Sequence, residues 1–200
     1  MVDFIYLASQ SPRRRQLLDQ LGVRYELLLP DGAEDTESLE AAYENEAPLK
    51  YVRRVTGLKL DAALIRRNLR NLPLAPILCA DTTVALEQTI FGKPEDAAHA
   101  ERMLSALVGR PHQVLTAVAV QNGSQRFEGV STSQVYLQAM TASQIKAYVA
   151  SGESAGKAGA YAIQGRIAMY ISRIDGSYSG IMGLPLWETA SLMQAAGLEL

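Results

Sequence analysis

The sequence predicts an α/β fold, a mixed twisted sheet flanked by helices, and three observations carry that prediction. First, Ile77-Leu78-Cys79-Ala80-Asp81-Thr82-Thr83-Val84-Ala85-Leu86 is almost entirely apolar or β-branched, the signature of a central strand buried on both faces. Second, strand-like and helix-like segments alternate early in the chain, and a hairpin signal, Asn122-Gly123, comes later. Third, 48% of the 200 residues are apolar, enough for a full core, so one globular domain over 1–200 is expected.

The elements follow in order. Phe4–Ala8 is the first strand. Ser11 suits a helix N-cap and Pro12 the first helical position; Leu17, Leu18 and Leu21 then share one face and Gly22 ends the helix. A second strand, Tyr25–Leu29, leads into the acidic stretch Asp31-Gly32-Ala33-Glu34-Asp35. A long helix is expected from about Glu46 to Asn68, with Arg53, Arg54, Lys59, Arg66 and Arg67 along it, and Gly57 within it suggests a kink or close packing. After the Ile77–Leu86 strand, Phe91–Asp96 opens a helix with Pro94 at its first position, and Ala100, Met103, Leu104 and Leu107 form its buried stripe. Val114–Val120 and Phe127–Leu137 are the arms of the hairpin, and Ile145, Tyr148 and Val149 mark a short helix. The Gly-punctuated stretch Gly156–Gly183 contains a strand at Ile167–Ile174, and a last helix starts at Pro185.

Composition excludes several functions. Nineteen Lys and Arg against 21 Asp and Glu leave no basic footprint for nucleic acid. The single cysteine, Cys79, rules out an internal disulfide framework and reads as an inert core thiol in a reducing, cytoplasmic compartment. Met1–Ala8 lacks a basic region and a long apolar run, so no signal peptide is expected, and no segment reaches the roughly 20 apolar residues of a membrane helix. Gly152-Glu153-Ser154-Ala155-Gly156 matches a hydrolase nucleophile pattern, but it follows a helix and both histidines, His99 and His112, precede it. Gly152–Lys157 is one residue short of a phosphate-binding loop, and Ala158 stands where a hydroxyl would be needed. Two separated histidines and one cysteine give no zinc-site spacing.

What remains is Asp81, a carboxylate inside a buried strand, which needs a cation or a polarised water or else serves as a structural acid bonded to Thr82 or Thr83. Arg13 and Arg14 lie in a first helical turn, where cations are unfavourable unless an anion joins them. With Ser hydroxyls and free backbone N–H groups they form a phosphate cradle or, more plainly, a solvated basic turn. Lys93 reads the same way at the start of the following helix, and Lys59 reads as a phosphate-reaching or surface lysine on a helix face.

Several short motifs occur in one order: Ser9-x-Ser11-Pro12-Arg13-Arg14, Ala80-Asp81-Thr82, Gly92-Lys93-Pro94, His112-x-x-x-Thr116, Lys157-Ala158-Gly159-Ala160-Tyr161-Ala162-Ile163-Gln164-Gly165, Gly176-Ser177-Tyr178 and Gly183-Leu184-Pro185. Together they resemble the Maf family of nucleoside triphosphate pyrophosphatases, once described as septum-formation inhibitors, over nearly the whole chain. The Ala-Tyr-Ala-Ile-Gln-Gly form resembles the subgroup acting on dTTP and UTP. The resemblance implies two lobes around a deep cleft, a homodimer, and dependence on Mg²⁺ or Mn²⁺. It implies that Asp81 ligates the metal or acts as general base, with Glu34 as second carboxylate. Lys59, Lys93, Arg13 and Arg14 would neutralise phosphate charge, and Ser9 and Thr82 would bind substrate. Gln164 would match a pyrimidine edge or serve as a packing amide. The sequence departs from the family pattern at Ala33, which precedes Glu34, and at Val55–Leu60 around Lys59. The implied activity is conversion of dTTP, UTP and modified pyrimidine triphosphates to monophosphate and pyrophosphate, clearing the nucleotide pool. The alternative is a non-catalytic nucleotide-binding regulator of division.

Overall fold

The computed structural model describes residues 3–32, 34, 35 and 38–199. Among these, seven strands form one sheet, β1 (Ile5–Leu7), β2 (Tyr25–Leu27), β3 (Ile77–Leu86), β4 (Thr89–Phe91), β5 (Pro111–Asn122), β6 (Gln125–Leu137) and β7 (Ile171–Asp175). The helices are α1 (Pro12–Gln20), α2 (Pro48–Leu69), α3 (Ala97–Leu107), α4 (Ala142–Ala150), α5 (Tyr178–Met182) and α6 (Leu186–Ala195). The strands run in the order β2-β1-β3-β5-β6-β7, with β4 pairing β3 off that path. β2, β1 and β3 are parallel neighbours joined through α1 and α2, whereas β3, β5, β6 and β7 are antiparallel. The expected mixed sheet is therefore present.

Side chains alternate across a strand, and β3 shows how that alternation divides the core. Ile77 and Cys79 join Tyr6, Leu60 and Ala63 under α2. Leu78 and Ala80 join Ile5, Leu7, Leu17, Leu18 and Met193 under α1 and α6. Helices thus cover both faces, which is why β3 reads as a continuous apolar run. Fully burying one such leucine contributes roughly 1.5–3 kcal/mol. A separate cluster lies farther along, where Leu104, Leu107, Val135, Tyr148, Tyr161 and Ile167 pack together.

One edge of β3 positions the site. β1 accompanies β3 only as far as Leu78, where the Ala8 N–H donates to the Leu78 carbonyl at 2.9 Å. β4 joins that edge only from Val84 onward. Between them Asp81 and Thr82 sit in a gap with no strand beside them among the described residues, while β5 pairs them on the other edge. Such a break in strand order is where α/β sheets bind ligands.

Several expectations shift. The helix expected at Pro94 starts at Ala97, because the Asp96 side chain accepts from the His99 N–H and caps it there. Pro94 therefore lies in a loop, and Lys93 is not at a helix start. β4 carries only three residues and escapes a search for alternating runs. Residues 166–170 form a 3₁₀ turn rather than strand, so β7 begins at Ile171. α5 ends at Gly183, whose φ of 119° lies in the left-handed region. The hairpin turn falls one residue later, at Gly123-Ser124, with Asn122 still in β5. Ala33 of the acidic stretch lies outside the described residues.

Gly57 sits in an unbroken α2, and a Cβ there would meet nothing within 4 Å among the described residues. Neither close packing nor an interruption of the helix accounts for it. Gly57→Ala should therefore stabilise the protein by about 0.5–1 kcal/mol, by restricting the unfolded chain. Urea unfolding at constant m-value measures this, and a lower midpoint would contradict it.

Candidate functional site

A cleft of about 440 Å³ opens at the gap in β3. It is lined by the β1–α1 turn, by Glu40 and Lys59, by Asp81 and Thr82, and by residues from the 156–163 and 181–183 segments. Asp81 and Thr82, being adjacent, project to opposite faces of the sheet. Asp81 meets α2 and Thr82 meets α1, so one dipeptide ties the catalytic candidates of two helices together.

On the α2 side, the Lys59 Nζ donates to Asp81 Oδ1 at 2.6 Å and to Glu40 Oε1 at 2.7 Å. The Lys93 Nζ donates to the other Glu40 oxygen, Oε2, at 2.7 Å. The result is a chain of alternating charge, Asp81–Lys59–Glu40–Lys93. Burial alone would pull the Lys59 ammonium down, but the charges of Asp81 and Glu40 outweigh it and leave its pKa raised. Burial would likewise raise the Glu40 carboxyl, and the two ammonium groups bring it below its ordinary value. The Tyr51 hydroxyl donates to the Glu40 carbonyl at 2.8 Å, and burial next to Asp81 and Glu40 pushes its pKa up to about 12. Behind the carboxylates lies a smaller cavity of about 40 Å³, lined by Glu40, Tyr51, Asp81 and Lys93 among others, large enough for a water.

On the α1 side, Arg14 is committed to protein partners. It donates to the Gly183 carbonyl at 2.6 Å, to Ser9 Oγ at 3.2 Å and to Thr82 Oγ1 at 3.3 Å. Thr82 Oγ1 continues to Thr116 Oγ1 at 3.0 Å, which donates to the Gly180 carbonyl at 2.7 Å. Arg14 therefore braces the cleft. Among the described residues Arg13 donates only through its Nε, to the Met182 carbonyl at 3.3 Å, and it lines the cleft. Ser9 Oγ accepts from the Ser11 N–H at 3.2 Å, which leaves its own hydroxyl proton to donate. Ser11 occupies the N-cap position, but its side chain makes no capping bond.

The far wall comes from the Lys157–Gln164 segment. Gly159 has φ +67°, and a Cβ there would lie 2.9 Å from Val84 Cγ1, so the turn presses directly onto β3. Its N–H donates to the Gly92 carbonyl at 3.1 Å, tying this wall to the loop that carries Lys93. Lys157, Tyr161 and Ile163 line the cleft, whereas Gln164 is exposed and is not on its wall. The Tyr161 hydroxyl meets His112 Nε2 at 2.8 Å inside the core.

Sequence reasoning thus located Asp81, Lys59, Lys93, Arg13, Arg14, Ser9 and Thr82, and the fold brings all seven to one cleft. Glu34 is elsewhere: both its oxygens accept from Arg66, at 2.5–3.0 Å, and it does not line the cleft. Arg66 holds its carboxyl below the ordinary range. Glu40 occupies the place expected of it, on the 3₁₀ turn Ser38–Glu40. Nothing in the spacing of so many acids between Glu34 and Glu46 distinguishes Glu40. Lys157 carries no signal beyond its place in the Lys157–Gly165 motif, and Tyr51 carries none. Cys79 is buried, and burial pushes its thiol up to about 12, consistent with an inert core residue.

Burial pulls His112 from 6.5 down to about 4, against the Arg110 carbonyl, which favours the charged form. Its neutral form is thus the native one, and the unfolded chain takes up the proton first. Stability should be fully present above about pH 6.5 and fall by about 2–3 kcal/mol as pH drops toward 4. In His112→Gln that part of the slope should vanish, as read by urea unfolding across the interval.

A family model described as Maf-like protein matches residues 4–196. The chain is 65% identical over 198 residues to a protein of Polaromonas sp. named dTTP/UTP pyrophosphatase, covering 99% of this chain and 98% of that one. Proteins of the same name from Albidiferax ferrireducens and Cupriavidus pinatubonensis are 61% and 59% identical, each over the full length of both chains.

Proposed function

The chain belongs to the Maf-like protein family, and from that premise we propose that it hydrolyses dTTP and UTP, with modified pyrimidine triphosphates, to the monophosphate and pyrophosphate. The observation that carries the reading is the charge chain Asp81–Lys59–Glu40–Lys93 on the wall of a cleft that also receives the α1 N-terminus. The full-length relatives named dTTP/UTP pyrophosphatase support the substrate class.

The residues divide the work. A triphosphate brings about four negative charges, and cleavage between the α and β phosphates leaves more on the departing pyrophosphate. Arg13, Lys93 and the first-turn N–H groups of α1 face that charge, and Ser9 donates its hydroxyl proton to a phosphate oxygen. Asp81, one oxygen of which Lys59 holds in the nucleotide-free protein, takes the proton of the attacking water with the other. Arg14 and Thr82 hold the cleft in shape. Gln164, one residue beyond the wall residue Ile163, has no hydrogen bond among the described residues and can turn its amide toward a pyrimidine edge.

The donor set fits a hard divalent ion. Asp81 and Glu40 offer carboxylate oxygens across a single ammonium, and Mg²⁺ is typically held by one or two carboxylates together with substrate phosphates. Among the described residues no group of three or more His, Cys, Asp and Glu side chains could hold a metal, so further ligands would have to come from the substrate phosphates. Such an ion, Mg²⁺ or Mn²⁺, supplies neutralising charge on the phosphate oxygens. No helix among the described residues is long and apolar enough to cross a membrane. A single catalytic domain over 1–200, working as a cytoplasmic homodimer, completes the proposal.

Purified protein should convert dTTP and UTP with Mg²⁺ or Mn²⁺ to the monophosphate and pyrophosphate, resolved by ion-exchange chromatography. Asp81→Asn should lose about 10²–10⁴-fold in kcat, as removal of a general base does. Glu40→Gln should lose about 10–100-fold, whereas Glu34→Gln should leave kcat within about threefold, because Glu34 meets Arg66 and does not line the cleft. Nucleotide binding without turnover would instead favour the regulator.

A further inference from the structure

Lys59 stands where a cation bridging two carboxylates would stand. Its ammonium is 2.6 Å from Asp81 Oδ1 and 2.7 Å from Glu40 Oε1, on side chains that are 10% and 28% exposed. Lys93 holds the second oxygen of Glu40 at the same 2.7 Å, but its side chain is 54% exposed. Three of the four carboxylate oxygens in this pair therefore already carry an ammonium. A buried carboxylate and a half-buried one sharing one site without a cation would repel, so the protein supplies its own counter-charge.

On the proposed reading of the cleft as a metal-dependent nucleotide pyrophosphatase, we infer that Lys59 and the divalent ion compete for the Asp81–Glu40 pair. In the nucleotide-free protein the ammonium satisfies both carboxylates, and entry of a metal requires it to leave. Two features make its departure feasible. Lys59 reaches from α2 on four methylenes, so it can swing without moving backbone. The same cleft receives the phosphates, which offer the ammonium a new anionic partner as it leaves the carboxylates. Lys59 would then serve twice, as a placeholder in the free protein and as a phosphate ligand in the complex. Metal and triphosphate would consequently bind better together than either does alone, a coupling that favours loading by the metal–nucleotide complex.

The test is direct binding of Mn²⁺ alone to the nucleotide-free protein, followed by electron paramagnetic resonance of the free ion. Lys59→Met and Lys59→Gln should each bind Mn²⁺ about tenfold or more tightly than wild type, since an uncompensated carboxylate pair remains. Their melting temperatures should be lower without metal and rise more on adding Mn²⁺ than that of wild type. Both should hydrolyse dTTP more slowly despite tighter metal binding, a combination that simple unfolding does not produce. Lys93→Met frees only Glu40 Oε2, held by a lysine whose side chain is 54% exposed, and should tighten Mn²⁺ binding by only about threefold. Unchanged or weaker Mn²⁺ binding in the folded variants overturns the inference, because Lys59 would then not be a competitor. Wild-type protein that hydrolyses no triphosphate would instead overturn the proposed activity, and the Mn²⁺ titration would still report on the competition.

Discussion

A carboxylate in the middle of a buried strand is the constraint on which the rest of this structure depends. Asp81 is flanked by Cys79, Ala80 and Thr83, all buried, and cannot carry its charge there without an opposing one. The sheet answers by withholding a neighbour. β1 leaves β3 after Leu78 and β4 arrives at Val84, so a cleft opens at the one place where the acid would otherwise be sealed in. α2 answers with Lys59. The long helix, its packing through Leu60 and Ala63 and the position of the cleft all serve to place one ammonium 2.6 Å from one carboxylate oxygen.

The opposite face is braced by neutral and cationic donors. Arg14 joins α1, β3 and the turn after α5 through three hydrogen bonds, and Thr82 passes the connection on to Thr116 and Gly180. Two adjacent arginines in one helical turn thereby do different jobs. Arg14 is spent on shape, and Arg13 keeps donors for a ligand. Placing cations at a helix start is unfavourable by itself; here one of them is hydrogen-bonded by carbonyl and hydroxyl oxygens, and the other lines the cleft.

Much of this was legible from residue types alone. β3 and Asp81 stood out because an acid interrupts an apolar run, and the α1 cradle because Ser, Pro and Arg follow a strand directly. Lys93 was marked by a helix start that the fold places farther on, at Ala97, and Lys59 came out only through resemblance, since a lysine on a helix face has no local signature. Pro94 misled because proline starts helices readily, yet the Asp96 cap three residues before His99 competes for the same role and wins. Glu40 was invisible for a different reason. Its function arises from distance in space, 19 residues before Lys59 and 53 before Lys93, on a turn among other acids. Glu34, the candidate the resemblance implied despite the departure at Ala33, meets a guanidinium instead, that of Arg66.

That exchange of carboxylates follows from what each acid meets. Arg66 is 5% exposed and presents a fixed fork to Glu34, with the Leu28 carbonyl taking its remaining nitrogen, so the pair is a closed unit with both partners satisfied. Glu40 meets two lysines, whose ammonium groups are compact, flexibly tethered point charges. A guanidinium locked in a bidentate pair anchors a loop; an ammonium on a four-carbon stem can release its carboxylate when a stronger cation or a richer anion arrives. The choice of arginine at one acid and lysine at the other therefore separates the fixed part of this loop from the exchangeable one. The exchangeable part is the one that faces the cleft.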